Sequence, residues 1–303
     1  MKRVAVIDLG TNLFNLLIAA VEPTKFDVLF HTKSGVAIGM GGINNGIITT
    51  DAMQRAIQTL KEFKQHCATY QVEEIKAFGT SAIRDAKNNQ EFCGLIHQET
   101  GVEVQIIDGL QEAQLIYQGV KWTYDFSKPT VVVDIGGGST EFIVADQSGM
   151  QTAFSLNIGI SRIFQQLTLS DPLTQEDIAT IENWLEKHSE GKLKNIACST
   201  VVGASGTFET LYQIQYQQEF PKSFECIEMT MDNISLILEE IIHSTLHERQ
   251  LNTLIPPIRQ IMMAIAGVKI RWIFKQLNAQ KFFISPNSLK EGALYSASNL
   301  KKT

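Results

Sequence analysis

Two stretches of the chain repeat one order of residue types: Asp8-Leu9-Gly10-Thr11-Asn12 and Asp134-Ile135-Gly136-Gly137-Gly138-Ser139-Thr140. Each follows a short β-branched run, residues 4–7 and 130–133, and each is followed by a returning apolar strand. A tight turn of this kind presents several backbone N–H groups to one point, which suits an anion. Gly136, Gly137 and Gly138 lack the Cβ atoms that would hold a phosphate away, and Thr11, Asn12, Ser139 and Thr140 add polar side chains. Asp8 and Asp134 stand where a carboxylate can hold Mg²⁺, directly or through water. The plainer alternative is a pair of β-hairpin turns with no ligand. A single Asp-x-Gly favours that alternative; its recurrence favours phosphate. A third glycine-rich turn, Val202-Gly203-Ala204-Ser205-Gly206-Thr207, precedes a predicted helix, so Gly206 can place a phosphate at a helix N-terminus. A simple strand-to-helix turn explains it equally well. No GxxxxGK[ST] phosphate loop occurs.

The elements that carry these turns read as α/β. Residues 4–7, 16–21 and 26–30 predict an antiparallel meander, followed by a glycine-rich loop through Gly35, Gly39, Gly41, Gly42 and Gly46. A helix is expected from Thr50 or Asp51 towards Tyr70, a strand over 75–78, helical stretches over 82–100, a strand near 103–107 and a helix near 110–121. Polarity rises around 125–129, which marks a domain junction and the expected hinge. Strands follow over 130–133, 141–145 and 152–156, helices near 160–168 and 174–188, a strand near 195–200, a long helix over 258–277 and a last strand over 282–284. The expected division is 1–125 and 126–303, with the last helix free to pack back on the first domain. Two copies of strand, Asp-x-Gly turn and returning strand, each opening a domain, describe an internal duplication rather than a solenoid.

The 303 residues suffice for two cores without disulfides. No apolar run approaches the roughly 20 residues of a membrane span, and Asp8 and Gly10 interrupt the start too early for a signal peptide. A cytoplasmic protein with no membrane partner is expected. Cys67, Cys93, Cys198 and Cys226 form no CxxC pair and read as reduced thiols. With 32 acidic against 26 basic residues and a net charge of −6, the chain lacks the excess of positive charge that nucleic-acid binding needs. His243 and His247, four apart with Glu239 and Glu240 nearby, can share a helix face; an ordinary polar face is the stronger reading there.

The paired turns and the GxSGT turn resemble the actin, sugar-kinase and chaperone ATPase superfamily. Finer segments are similar to one branch of it, the exopolyphosphatase and guanosine pentaphosphate phosphatase family. These are Asp8 to Asn12, Gly79-Thr80-Ser81-Ala82-Ile83-Arg84-Asp85-Ala86-Lys87-Asn88, Gly109-Leu110-Gln111-Glu112-Ala113, Asp134 to Glu141 and Gly203 to Thr207. The agreement runs to about residue 210, with Ser285 to Leu294 beyond it. The resemblance implies two ribonuclease-H-like (actin-like ATPase) domains facing across a cleft. It also implies Mg²⁺-dependent hydrolysis of the terminal phosphoanhydride of inorganic polyphosphate or of guanosine pentaphosphate. By the same resemblance Glu112 is the catalytic base, and Glu141 orients water or metal. Arg84 clamps phosphate oxygens, Asp134 and then Asp8 hold the metal, and Thr11, Asn12, Gly136, Gly137, Gly138 and Ser139 contact phosphate. A homodimer is also implied. Relatives usually carry a hydroxyl at Leu13, an arginine at Ala37 and an Arg at Gln114, so two basic contacts and one hydroxyl are lost. Those losses keep a catalytically weak phosphate or alarmone sensor as the reading of a different class.

Overall fold

The computed structural model describes residues 1–22, 25–221 and 225–298. The chain forms two compact units, residues 1–122 with 287–303, and residues 123–286. It passes from one to the other twice, at 122–123 and at 286–287.

In the first unit β1 (Lys2–Leu9), β2 (Leu13–Val21) and β3 (Phe26–Gly35) make the antiparallel meander. β4 (Glu74–Gly79) runs parallel to β1, and β5 (Val104–Ile106) parallel to β4, giving the order β3-β2-β1-β4-β5. Val4, Ala5, Val6 and Ile7 are all buried, the pattern of a central strand covered on both faces. β3, at the edge, alternates instead between partly buried and exposed positions. The helices are α1 (Thr50–Thr69), α2 (Ser81–Arg84), α3 (Asn89–Thr100) and α4 (Gly109–Val120). Thr49 caps α1 by accepting from the Ala52 amide at 3.3 Å, one residue before the expected start.

The second unit repeats this plan. β6 (Thr130–Ile135), β7 (Thr140–Asp146) and β8 (Gly149–Leu156) form the meander. β9 (Thr200–Gly203) lies parallel to β6, β11 (Lys281–Ile284) parallel to β9, and β10 (Ile227–Met229) antiparallel to β11. Around this sheet lie α5 (Ile160–Gln166), α6 (Gln175–Ser189), α7 (Gly206–Tyr216), α8 (Met231–His243), α9 (Leu246–Leu251), α10 (Pro257–Gln260) and α11 (Met263–Gln276). The duplication seen in the turns is therefore a duplication of sheet topology, β1-β2-β3-β4-β5 against β6-β7-β8-β9-β11.

Three expectations move. The strand expected at 195–200 is β9 at Thr200–Gly203, because residues 192–195 take a 3-10 turn. The helix expected over 258–277 is broken into α10 and α11. Buried Arg249 donates its Nε to the Gln260 carbonyl at 2.7 Å, taking an acceptor that a continuous helix would use. His243 and His247 do not share a helix: His243 ends α8, 3.5 Å from Glu239, and His247 lies on α9 after the Ser244-Thr245 break.

The last helix, α12 (Leu289–Ser298), belongs to the first unit and packs on α4. Two glycines set that approach. A Cβ on Gly119 would lie 2.2 Å from the Ser288 carbonyl oxygen, and one on Gly292 would lie 1.8 Å from that of Leu115. Tyr295 stacks on Trp122 at 4.0 Å, with Phe26 against it at 4.9 Å, and burial pushes its phenol up to about 12. Because a Cβ at 292 overlaps backbone, Gly292→Ala is expected to destabilise by about 1–3 kcal/mol. A urea melt checks this; an unchanged midpoint would mean that the two helices separate freely.

Candidate active site

The two Asp-x-Gly turns have the same geometry. Gly10 N–H donates to the Leu13 carbonyl at 3.1 Å, and Gly136 N–H to the Ser139 carbonyl at 3.1 Å. In the second turn three successive carbonyls are taken from one side. Gly136 O accepts from the Ile160 amide (3.1 Å), Gly137 O from Ser161 (2.8 Å) and Gly138 O from Gly159 (3.2 Å). Arg162 Nε adds a bond to Gly138 O at 2.7 Å. In a planar trans peptide the N–H opposes the C=O, so the amides of Gly137, Gly138 and Ser139 point away from that segment. Among the described residues these three amides have no hydrogen-bond partner. They form a concave set of donors of the kind that takes an anion. Gly159 is required by this contact: a Cβ there would lie 2.2 Å from Gly137 O.

The first turn is backed in the same way by the glycine-rich loop. Thr11 O accepts from Gly39 N–H at 3.1 Å, and Asn12 O accepts from Val36 (3.0 Å) and Ala37 (2.9 Å). Ala37 sits at φ 49°, in the left-handed region. Arg55, on α1, holds this loop through Nε to Val36 O at 2.9 Å and Nη2 to Ala37 O at 3.2 Å.

The carboxylates differ between the copies. Asp8 pairs in register with Asn15 and accepts from its Nδ2 at 3.0 Å. Asp134 pairs in register with Glu141, so two carboxylates lie side by side across the strands. Like charges in that position repel unless a cation offsets them. Glu141 is buried and accepts from Ser155 Oγ at 2.6 Å. On the other side of β7 lies Lys269 of α11, fully buried, donating to Thr140 Oγ1 and to the Ile158 carbonyl. Burial lowers its amine to about 7, with the Glu141 charge opposing the shift.

Glu112 lies in the first turn of α4, which is started by a capping box between Asp108 and Gln111. Its side chain is buried and accepts from Arg84 Nη1 at 2.8 Å. Arg84 also donates to Ile107 O at 3.1 Å and lies 3.6 Å from Asp85. The structure thus joins the expected base and the expected phosphate clamp in one ion pair within the first unit. The third turn places Gly206 as the first residue of α7, against Arg259: a Cβ at 206 would lie 2.1 Å from Arg259 Nη2. Arg259 Nη1 donates to Thr210 Oγ1 at 2.9 Å. Ser81 Oγ and Ser205 Oγ, at the starts of α2 and α7, are buried without a hydrogen-bond partner among the described residues.

This arrangement has relatives. The family model of the Ppx/GppA phosphatase family matches residues 17–301. The chain belongs to the Ppx/GppA phosphatase family. Among solved structures, an exopolyphosphatase from Cytophaga hutchinsonii superposes with a TM-score of 0.93 at 30% identity, covering 99% of both chains. The Aquifex aeolicus PPX-GPPA enzyme superposes with a TM-score of 0.80 at 28% identity, over 97% of this chain and 99% of that one. The fold is the two-domain α/β fold of the actin-like ATPases, and the protein is a phosphoanhydride hydrolase of this family.

Lys269, Arg259, Gly159 and Ser155 escape the motif reading. For Lys269 a signal exists: it is the lone charge in the apolar run Ala264-Ile265-Ala266-Gly267-Val268-Lys269-Ile270. The other three are recognisable only once their contacts are known.

Two outcomes follow. Replacing Arg84 by Met and Glu112 by Gln, singly and together, is expected to give a coupling of about 1–3 kcal/mol in urea melts, as for groups in one buried pair. A value below about 0.5 kcal/mol would mean a solvent-screened pair. For Lys269, the unfolded amine keeps its proton up to its ordinary value of 10.5, whereas the folded one releases it near 7. Between those values the unfolded state binds more protons, so this group makes stability rise with pH, by at most about 1.4 kcal/mol per unit. Lys269→Met is expected to flatten that rise in melts run from pH 6.5 to 10; an identical slope would refute the assignment.

Proposed function

We propose that the protein is an exopolyphosphatase, releasing phosphate from the ends of inorganic polyphosphate in an Mg²⁺-dependent reaction. The observation that carries this reading is the part-buried Arg84–Glu112 pair at the start of α4, a carboxylate and a guanidinium held together at 2.8 Å. The likeness to the Cytophaga exopolyphosphatase over 99% of both chains supports the choice of substrate.

In this mechanism the amides of Gly137, Gly138 and Ser139 in the second unit bind oxygens of a phosphate, and in the first unit Arg84 supplies positive charge. Glu112 orients the attacking water and takes its proton. Arg84 donates to that carboxylate at 2.8 Å and so fixes its orientation. The donor set suits Mg²⁺. Asp134, beside Glu141, offers one or two carboxylates of the kind Mg²⁺ uses together with waters and substrate oxygens. Among the described residues no group of three His, Cys, Asp or Glu side chains forms a closed metal cage. Asp134 is the first candidate ligand and Asp8 the second; Mg²⁺ bound there would offset phosphate charge.

The test is phosphate release by purified protein with Mg²⁺, on long-chain polyphosphate and on guanosine pentaphosphate in parallel. Turnover of polyphosphate that falls by about a thousandfold in Glu112→Gln is expected. Release from guanosine pentaphosphate alone would reassign the substrate. Binding without release from either would make the protein a sensor.

A further inference from the structure

Lys269 makes no contact that the reaction above requires, yet its amine is among the most deeply buried charged groups of the second unit. Burying an amine costs stability unless its hydrogens are used. Two of them are, and the acceptors are informative. Thr140 Oγ1 lies where the glycine turn ends and β7 begins, opposite Ile135 in register. The Ile158 carbonyl lies one residue before the Gly159–Ser161 amides that hold the turn's three carbonyls. One side chain from α11 therefore grips both halves of the cradle, the turn and the segment that backs it. It also feels the charge of Glu141, which pairs with Asp134 across the strands. Three bonds between main-chain groups hold the turn to the 159–161 segment, and the lysine adds a side-chain tie between the two at the end where β7 begins.

We infer that Lys269 is the positioning residue of the phosphate turn, locking Gly136–Thr140 to the 158–161 segment so that the three outward amides keep one spacing. This rests on the proposed phosphohydrolase reading. A 1 Å misplacement of such donors is enough to cost about a hundredfold. A residue that merely filled the core would affect only how much protein is folded.

The experiment compares wild type, Lys269→Met, which keeps the stem and removes the amine, and Thr140→Val, which removes one acceptor and leaves the core filled. Hydrogen exchange of amides 136–141 and 158–161 is measured against those of β9. Steady-state kinetics are run on tripolyphosphate. Both variants are expected to exchange faster in the two segments, by about tenfold or more, with β9 unchanged. KM is expected to rise by about tenfold, a change that partial unfolding cannot produce because it lowers kcat alone. The double variant is expected to match the worse single one. Exchange that rises evenly, or KM within about twofold of wild type in folded protein, overturns the inference. Should Lys269→Met fail to fold, Thr140→Val decides by the same readouts. If wild type releases no phosphate from tripolyphosphate, polyphosphate or guanosine pentaphosphate, the enzymatic reading fails, and the exchange contrast alone decides the role of the lysine.

Discussion

The orientation of a few peptide planes governs this protein. A peptide whose carbonyl is already bound on one side must show its neighbour's N–H on the other. In the second unit the Gly159–Ser161 amides take three carbonyls in a row, so three amides face outward together. In the first unit the glycine-rich loop takes the carbonyls of Thr11 and Asn12 in the same manner. The glycines serve this geometry in two ways. Gly10 and Gly136 leave room for the carbonyls that close their own turns, and Gly159 leaves room for the Gly137 carbonyl of the facing segment. The meanders then hold each turn at the end of a central strand whose burial on both faces keeps it still.

Duplication gave two equivalent cradles, and the side chains around them have diverged. Asp8 is tied to Asn15 by a neutral amide, which satisfies one of its oxygens and adds no charge. Asp134 faces Glu141, and that second carboxylate creates a demand for positive charge. Lys269, buried behind β7, feels the Glu141 charge, which opposes the lowering of its amine by burial. The first unit invests its charge elsewhere, in the Arg84–Glu112 pair on α2 and α4. α12 seats α4 against the same unit through the Gly119–Gly292 approach, so the helix that carries Glu112 is set by sequence 180 residues away from it (292 − 112 = 180).

Most of the strands and both turns were legible in the sequence because their signals are local. β-branched runs mark β1 and β6, and the Asp-x-Gly repeat marks the duplication. What stayed hidden is what depends on distant partners. The break between α10 and α11 follows from Arg249 capturing the Gln260 carbonyl, and no periodicity over 258–277 announces it. The shift of β9 to Thr200–Gly203 depends on pairing with β6 and β11. Glu112 was singled out only by resemblance, since a first-turn glutamate is ordinary on any helix. Its burial against Arg84, between residues 28 positions apart, is a tertiary fact. Lys269 had a readable signal, a charge inside an apolar helix, but its partners on β7 and at Ile158 did not.

The departures from the family pattern take on a physical meaning in this frame. Gln111 closes the capping box with Asp108, so the start of α4 is intact. Ala37 keeps the left-handed backbone that the loop needs, and its amide and carbonyl are both used, by Asn12 and Arg55. Gln114 is exposed, and Leu13 supplies the carbonyl that closes its turn. At Leu13 and Ala37 the main chain makes its turn and loop bonds whatever the side chain. Outward amides bind phosphate whatever side chains flank them, whereas a lost arginine removes attraction for the rest of a polyanion. On the proposed reading, the substitutions act on the grip beyond the terminal phosphate, and the outward amides of the turn are the part of the molecule they leave alone.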